Sequence, residues 1–152
     1  MFKPLYGYLE SRNILYPHQF GFRQKCSTNH ALIQITESIR NSIDNNEFGR
    51  GIFINLKKAF DTGNHSILLS KLNHSRVRGK AYDWFHSYLF NREKFACING
   101  HNSDSLSITY KIRQGSILGR LLFLLYINDL PNTSKLLSFH LFADDTNMSF
   151  FT

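Results

Sequence analysis

Two adjacent carboxylates, Asp144-Asp145, stand between two short β-prone runs, and this arrangement restricts the chain more than any other feature. Ser138 to Ala143 and Met148 to Phe151 read as strands, and Asp144-Asp145-Thr146-Asn147 between them reads as a turn. The spacing predicts a β-hairpin with both acids at its tip. Along a regular strand neighbouring side chains point to opposite faces, so consecutive acids converge only where the chain turns. An Asp-Asp-Thr-Asn turn chosen for turn chemistry alone would look the same, and the hairpin by itself does not separate these readings.

The remaining pattern mixes helices and strands without regular alternation. Leu5 to Arg12 reads as a short helix ended by Tyr16-Pro17, and Gln19-Phe20-Gly21-Phe22-Arg23 as a turn carrying aromatics. Leu32, Ile35, Ile39 and Ile43 fall at helical spacing behind Thr28 or Asn29 as cap. Gly51 to Leu56 is apolar on consecutive positions, which predicts a strand covered on both faces. Ser66 to Leu72 and Lys80 to Phe90 read as helices, the second with Ala81, Trp84, Phe85, Tyr88 and Leu89 on one stripe. Lys94 to Ile98 and Leu106 to Ile112 form a strand pair around the turn signal Asn99-Gly100. A helix from Ser116 stops before Pro131, and its run Leu121 to Ile127 predicts burial. That run is far short of the ~18 apolar residues that span a bilayer. The whole suits an α+β domain with helices packed on one side of a sheet.

Composition bears on partners. With 152 residues, 42% of them hydrophobic, the chain can bury a core and is not a disordered sequence. Eighteen Lys and Arg against 11 acids give a net charge of +7, which favours a polyanionic partner, although solubility alone also explains such a charge. The two cysteines, Cys26 and Cys97, form no Cys-x-x-Cys pattern, and the first residues carry no secretory signal, so an intracellular site, cytoplasmic or nuclear, is expected. Cys97 and His101 stand four apart, but no second pair closes a tetrahedral zinc set.

Three blocks now line up in order: Ile52-Phe53-Ile54-Asn55-Leu56-Lys57-Lys58-Ala59-Phe60-Asp61, then Gln114-Gly115-Ser116-Ile117-Leu118-Gly119 followed by Leu121-Leu122-Phe123, then Phe142-Ala143-Asp144-Asp145. Together they resemble the reverse transcriptase (RNA-directed DNA polymerase) domain of jockey-like non-LTR retrotransposons, in a partial and degenerate copy. The resemblance runs from about Leu5 to Phe150. It implies an antiparallel palm sheet over residues 51–152 preceded by part of the fingers over residues 1–50, with thumb and endonuclease absent. It implies an RNA template, a DNA primer and a deoxynucleoside triphosphate as partners.

By the same resemblance Asp144 and Asp145 are metal ligands and catalytic residues, and Asn55 stands where the family has a third acid. Two magnesium ions about 3.5–4 Å apart activate the attacking oxygen and stabilise the leaving one in such sites. Magnesium takes oxygen ligands, which carboxylates supply. The amide of Asn55 brings no charge, so little or no polymerase activity is expected; the other readings are a nucleic-acid-binding module without catalysis and a translated remnant. Phe60, with Ala59 beside it, matches an aromatic gate beneath the incoming sugar, or else is a core residue. Gln114 and Gly115 match the loop beside template and nucleotide. Arg23 and Lys25 are candidates for phosphate, or ordinary surface charge. Asn64-His65 matches the end of the first block, with His65 a hydrogen-bonding structural residue. Departures gather inside the blocks: Arg113 and Arg120 stand where the family has prolines, and Gly63 where it has an apolar residue. They read as the decay of a mobile-element copy.

Overall fold

The acid hairpin belongs to a three-stranded antiparallel sheet in which its second strand lies in the middle. The computed structural model describes residues 1–90, 92–112 and 115–152. In chain order the elements are α1 (Phe2–Ser11), α2 (Thr28–Asp44), β1 (Gly49–Asn55), α3 (His65–His74), α4 (Lys80–Leu89), β2 (Glu93–Lys94), β3 (Cys97–Ile98), β4 (His101–Asn102), β5 (Leu106–Ser107), α5 (Ile117–Ile127), a 3-10 turn (Leu130–Thr133), β6 (Ser138–Phe142) and β7 (Asp145–Phe151). The sheet order is β1-β7-β6, with Gly49 opposite Phe151 and Asn55 opposite Asp145. The mixed α+β reading stands.

The core forms around α5. Leu121, Leu122, Phe123, Leu124 and Leu125 are each no more than 2% exposed, as a helix apolar on every side must be. Leu5 and Leu9 of α1, Leu68 and Leu72 of α3, Phe85 and Leu89 of α4 and Leu141 of β6 complete the cluster. Each such side chain contributes about 1.5–3 kcal/mol by leaving water. Ser116 caps α5 by accepting from the Gly119 amide, and Asn64 caps α3 by accepting from Ser66 and Ile67.

Leu141 faces this core, so His140 next to it faces the other way. That second face is not bare. His18 packs edge-on against the His140 ring at 5.5 Å, and its Nδ1 lies 2.5 Å from Gln34 Oε1 of α2. At β6 helices therefore lie on both faces of the sheet, which corrects the expectation of helices on one side only. The cause is the segment before α2: its backbone runs along β6, with Phe20 N donating to Leu141 O at 2.8 Å and Leu141 N to His18 O at 2.9 Å. Residues 18–20 thus close the β6 edge with a parallel bridge at Gln19.

The other edge stays open. All seven residues of β1 are exposed, Phe53 by 79% and Ile52 by 53%, so the expectation of cover on both faces is overturned. An apolar run signals a surface that wants cover; it does not show that this chain supplies it. The stripe of α2 is likewise exposed at Leu32, Ile39 and Ile43. The strand pair around Asn99-Gly100 appears as two interrupted two-residue ladders, β3–β4 at the turn and β2–β5 beyond, all exposed. Among the described residues no helix is long and apolar enough to cross a membrane.

Candidate active site

The tip of the hairpin is tighter than the sequence suggested. Phe142 pairs with Asp145, leaving Ala143 and Asp144 as a two-residue loop, while Thr146 and Asn147 lie within β7. Two-residue loops demand a positive φ, and Ala143 adopts φ +55 although it is not glycine. Such strain persists only where the surroundings over-determine the backbone.

Gln19 and Gly21 supply that constraint. The Gln19 side chain is only 2% exposed, and its Oε1 accepts from Gly21 N at 2.8 Å and Ala143 N at 3.1 Å. One buried acceptor thereby ties the loop before α2 to the acid tip. Gly21 lies so close that a Cβ there would stand 2.1 Å from Ala143 N. Both residues lie in the segment expected to be an aromatic turn of the partial fingers, with no role at the acid tip. Their pairing spans more than a hundred positions, and the sole sequence signal was a glycine between two aromatics.

The site residue on the facing strand comes directly to the tip. Asn55 and Asp145 are opposite each other in register, and Asn55 Nδ2 donates to Asp145 Oδ1 at 3.1 Å. A carboxylate only accepts, so the amide must turn its NH2 group toward it. The ladder continues one step further, with Leu56 N donating to Asp144 O at 3.4 Å. Asp144 is half-buried and Asp145 exposed. The structure thus gathers Asn55, Asp144 and Asp145 at one end of the sheet. No group of three or more His, Cys, Asp or Glu side chains that could hold a metal occurs among the described residues. The donor set at the tip is two carboxylates and an amide whose NH2 already pairs with one of them. It does not fit a pair of divalent cations.

The remaining candidates fall in different settings. Phe60 is 6% exposed, stacked on Phe123 with centroids 4.2 Å apart and edge-on to Phe22 at 6.1 Å, and Ala59 is 7% exposed; both belong to the core cluster. Gly115 sits at φ +87 with open space around it, and Gln114 lies outside the described residues. Arg23, a phosphate candidate, is held inside the fold: its guanidinium makes two bonds to Glu10, at 2.9 and 2.8 Å, and a third to Tyr16 O at 3.0 Å. Burial, the largest influence, raises the Glu10 carboxyl pKa, but hydrogen bonds from Arg23 and Tyr6 and the Arg23 charge together outweigh it and hold the group below its usual value. Lys25 is exposed at φ +62. His65 is buried, its Nε2 3.0 Å from the Lys111 carbonyl, a structural bond. Arg120 lies over the Phe22 ring at 5.4 Å, and a Cβ at Gly63 would meet Ile112 at 2.6 Å.

Comparison with known proteins decides the family. The reverse transcriptase (RNA-dependent DNA polymerase) profile matches residues 3–150. This chain belongs to the reverse transcriptase family. It is 33% identical over 123 residues, 81% of this chain and 14% of the relative, to the probable RNA-directed DNA polymerase from transposon BS of Drosophila melanogaster. It is 30% identical over 123 residues, 81% of this chain and 13% of the relative, to the probable enzyme from transposon X-element of the same fly. It is 29% identical over 113 residues, 74% of this chain and 12% of the relative, to the RNA-directed DNA polymerase from mobile element jockey. The chain therefore spans about one-seventh of the length of the first of these reverse transcriptases.

Proposed function

We propose that this chain is the palm, residues 51–152, and part of the fingers, residues 1–50, of a non-LTR reverse transcriptase whose nucleotidyl-transfer site has lost its cation-holding capacity. The supporting observation is the Asn55–Asp145 hydrogen bond. With aspartate at position 55, three carboxylates would gather at the tip, and their repulsion would be relieved by divalent cations. With asparagine, the neighbouring carboxylate is satisfied by an N–H and one negative charge is gone. Losing partners that merely orient a metal ligand already costs roughly 10–100-fold, so losing an anionic ligand costs more. On this reading Asp144 and Asp145 are the acids left from the former metal site, Phe60 and Ala59 shape the floor under the sugar, and Gln114 with Gly115 borders template and nucleotide. Template RNA, DNA primer and deoxynucleoside triphosphate are the proposed partners.

The test is primer extension on an RNA template with magnesium, comparing the chain as it stands with Asn55→Asp. The expectation is no extension by the former. Robust magnesium-dependent extension by the unaltered chain would overturn the proposal.

A further inference from the structure

Helix α4 carries a surface that the acid hairpin does not use. Lys80, Trp84 and Tyr88 lie four residues apart, which places them along one stripe. The Trp84 and Tyr88 rings are stacked with centroids 5.3 Å apart and planes 11° from parallel. Trp84, the only tryptophan, is 40% exposed, although it sits beside the buried Phe85 and Leu89 that anchor the helix. Beyond the helix Arg92 donates through Nε to Tyr88 O at 3.2 Å and stands over the Tyr88 ring at 5.8 Å. Before it, Arg76 and Arg78 flank the buried Val77, so both cations face solvent. Among the described residues Arg76, Arg78 and Lys80 enter no ion pair. The acids nearby are Asp83, in the first turn where it complements the helix dipole, and Glu93, which accepts from Ser105 Oγ at 2.7 Å.

We propose that this stripe docks single-stranded nucleic acid, independently of any metal at the hairpin. The exposed Trp84 ring, backed by the half-buried Tyr88 ring and with cations on either side, matches how single strands are held without sequence preference: bases stack on the ring while the backbone follows the charge. An acidic protein would satisfy the cations but leave the exposed Trp84 ring without use. A duplex would satisfy the cations and withhold its base faces. The surface reads neither sugar nor base identity, so RNA and DNA strands bind alike.

The experiment measures fluorescence anisotropy of labelled oligoadenylate RNA of about twelve nucleotides, a length within single-strand site sizes. An abasic strand with the same number of phosphates serves as its control. EDTA is present throughout, so failure of the metal-site reading leaves the result untouched. Trp84→Ala weakens oligoadenylate binding about tenfold, the scale of one lost base stack, and leaves the abasic strand unchanged. Trp84→Phe retains binding. Arg78→Glu with Lys80→Glu, on solvent-facing side chains, weakens both strands and flattens the salt dependence; it carries the test if Trp84→Ala does not fold. Equal affinity for abasic and base-bearing strands, tighter binding of a duplex, or no binding of either strand would overturn the proposal.

Discussion

The two edges of the central sheet are finished in opposite ways. At β6 the chain closes its own edge: residues 18–20 add a parallel bridge, and Gln19 and Gly21 lock the hairpin loop from behind. At β1 the edge is left open, with every residue exposed. Asp144 sits in the loop between β6 and the central strand β7 and Asp145 opens β7, whereas Asn55 ends the open strand opposite Asp145. The hairpin's geometry is carried by backbone bonds and a buried amide, none of which depends on the side chain at 55. On the proposed reading, the scaffold keeps the site's shape whether or not position 55 carries an acid.

The sharpest way to break this contrast is at Gly21. Its substitution by alanine forces backbone apart at the tip, and the cost is expected to be about 4 kcal/mol, near the upper end for single substitutions. Urea unfolding checks it; a loss below about 1 kcal/mol would mean the edge is not locked where described. Next comes Gln19→Leu, which leaves the Gly21 and Ala143 amides without their acceptor and should cost about 2 kcal/mol by the same measurement.

Acid acts on the same side. Burial, then the neighbouring His18, lowers the His140 pKa below its usual value. The folded state therefore holds this group neutral while the unfolded chain takes up a proton. The stability it contributes is complete above the unfolded value, near 6.5. It is lost as pH falls from there through the depressed folded value. Melting curves from neutral to mildly acid pH should show this decline, and His140→Phe should lessen it. A slope unchanged by that variant would remove His140 as its source. The smallest effect belongs to the open edge. Phe53→Lys should change unfolding stability by no more than about 0.5 kcal/mol, because a side chain already 79% exposed has little burial to lose.

What the sequence disclosed follows from how local each signal was. The helix over Leu121–Ile127 and the acid hairpin were legible because contiguous apolar runs and a turn mark them. The loop begins one residue earlier than the sequence suggests and is two residues long rather than four, since Asp-Asp-Thr-Asn offers better turn chemistry than Ala-Asp while the Gln19 brace holds the strained Ala143. That brace was illegible, as a single amide reaching across the whole fold leaves no periodic trace. Arg23 was weighed as a surface or phosphate contact because its partner Glu10 lies thirteen positions away, outside any local pattern. The exposure of β1 was misread because hydrophobicity reports a demand for cover and says nothing of its source.

The most direct trial of the proposed site is a magnesium titration followed by thermal unfolding, on the chain as it stands and on Asn55→Asp. The variant should begin less stable at neutral pH, since two carboxylates would then face each other at the 3.1 Å contact the amide now bridges. It should gain about 5 °C or more at magnesium a hundredfold above its Kd, while the unaltered chain shows no saturable gain. Equal responses from the two proteins, or none from the variant, would contradict the claim that position 55 once completed a cation site with the twin acids.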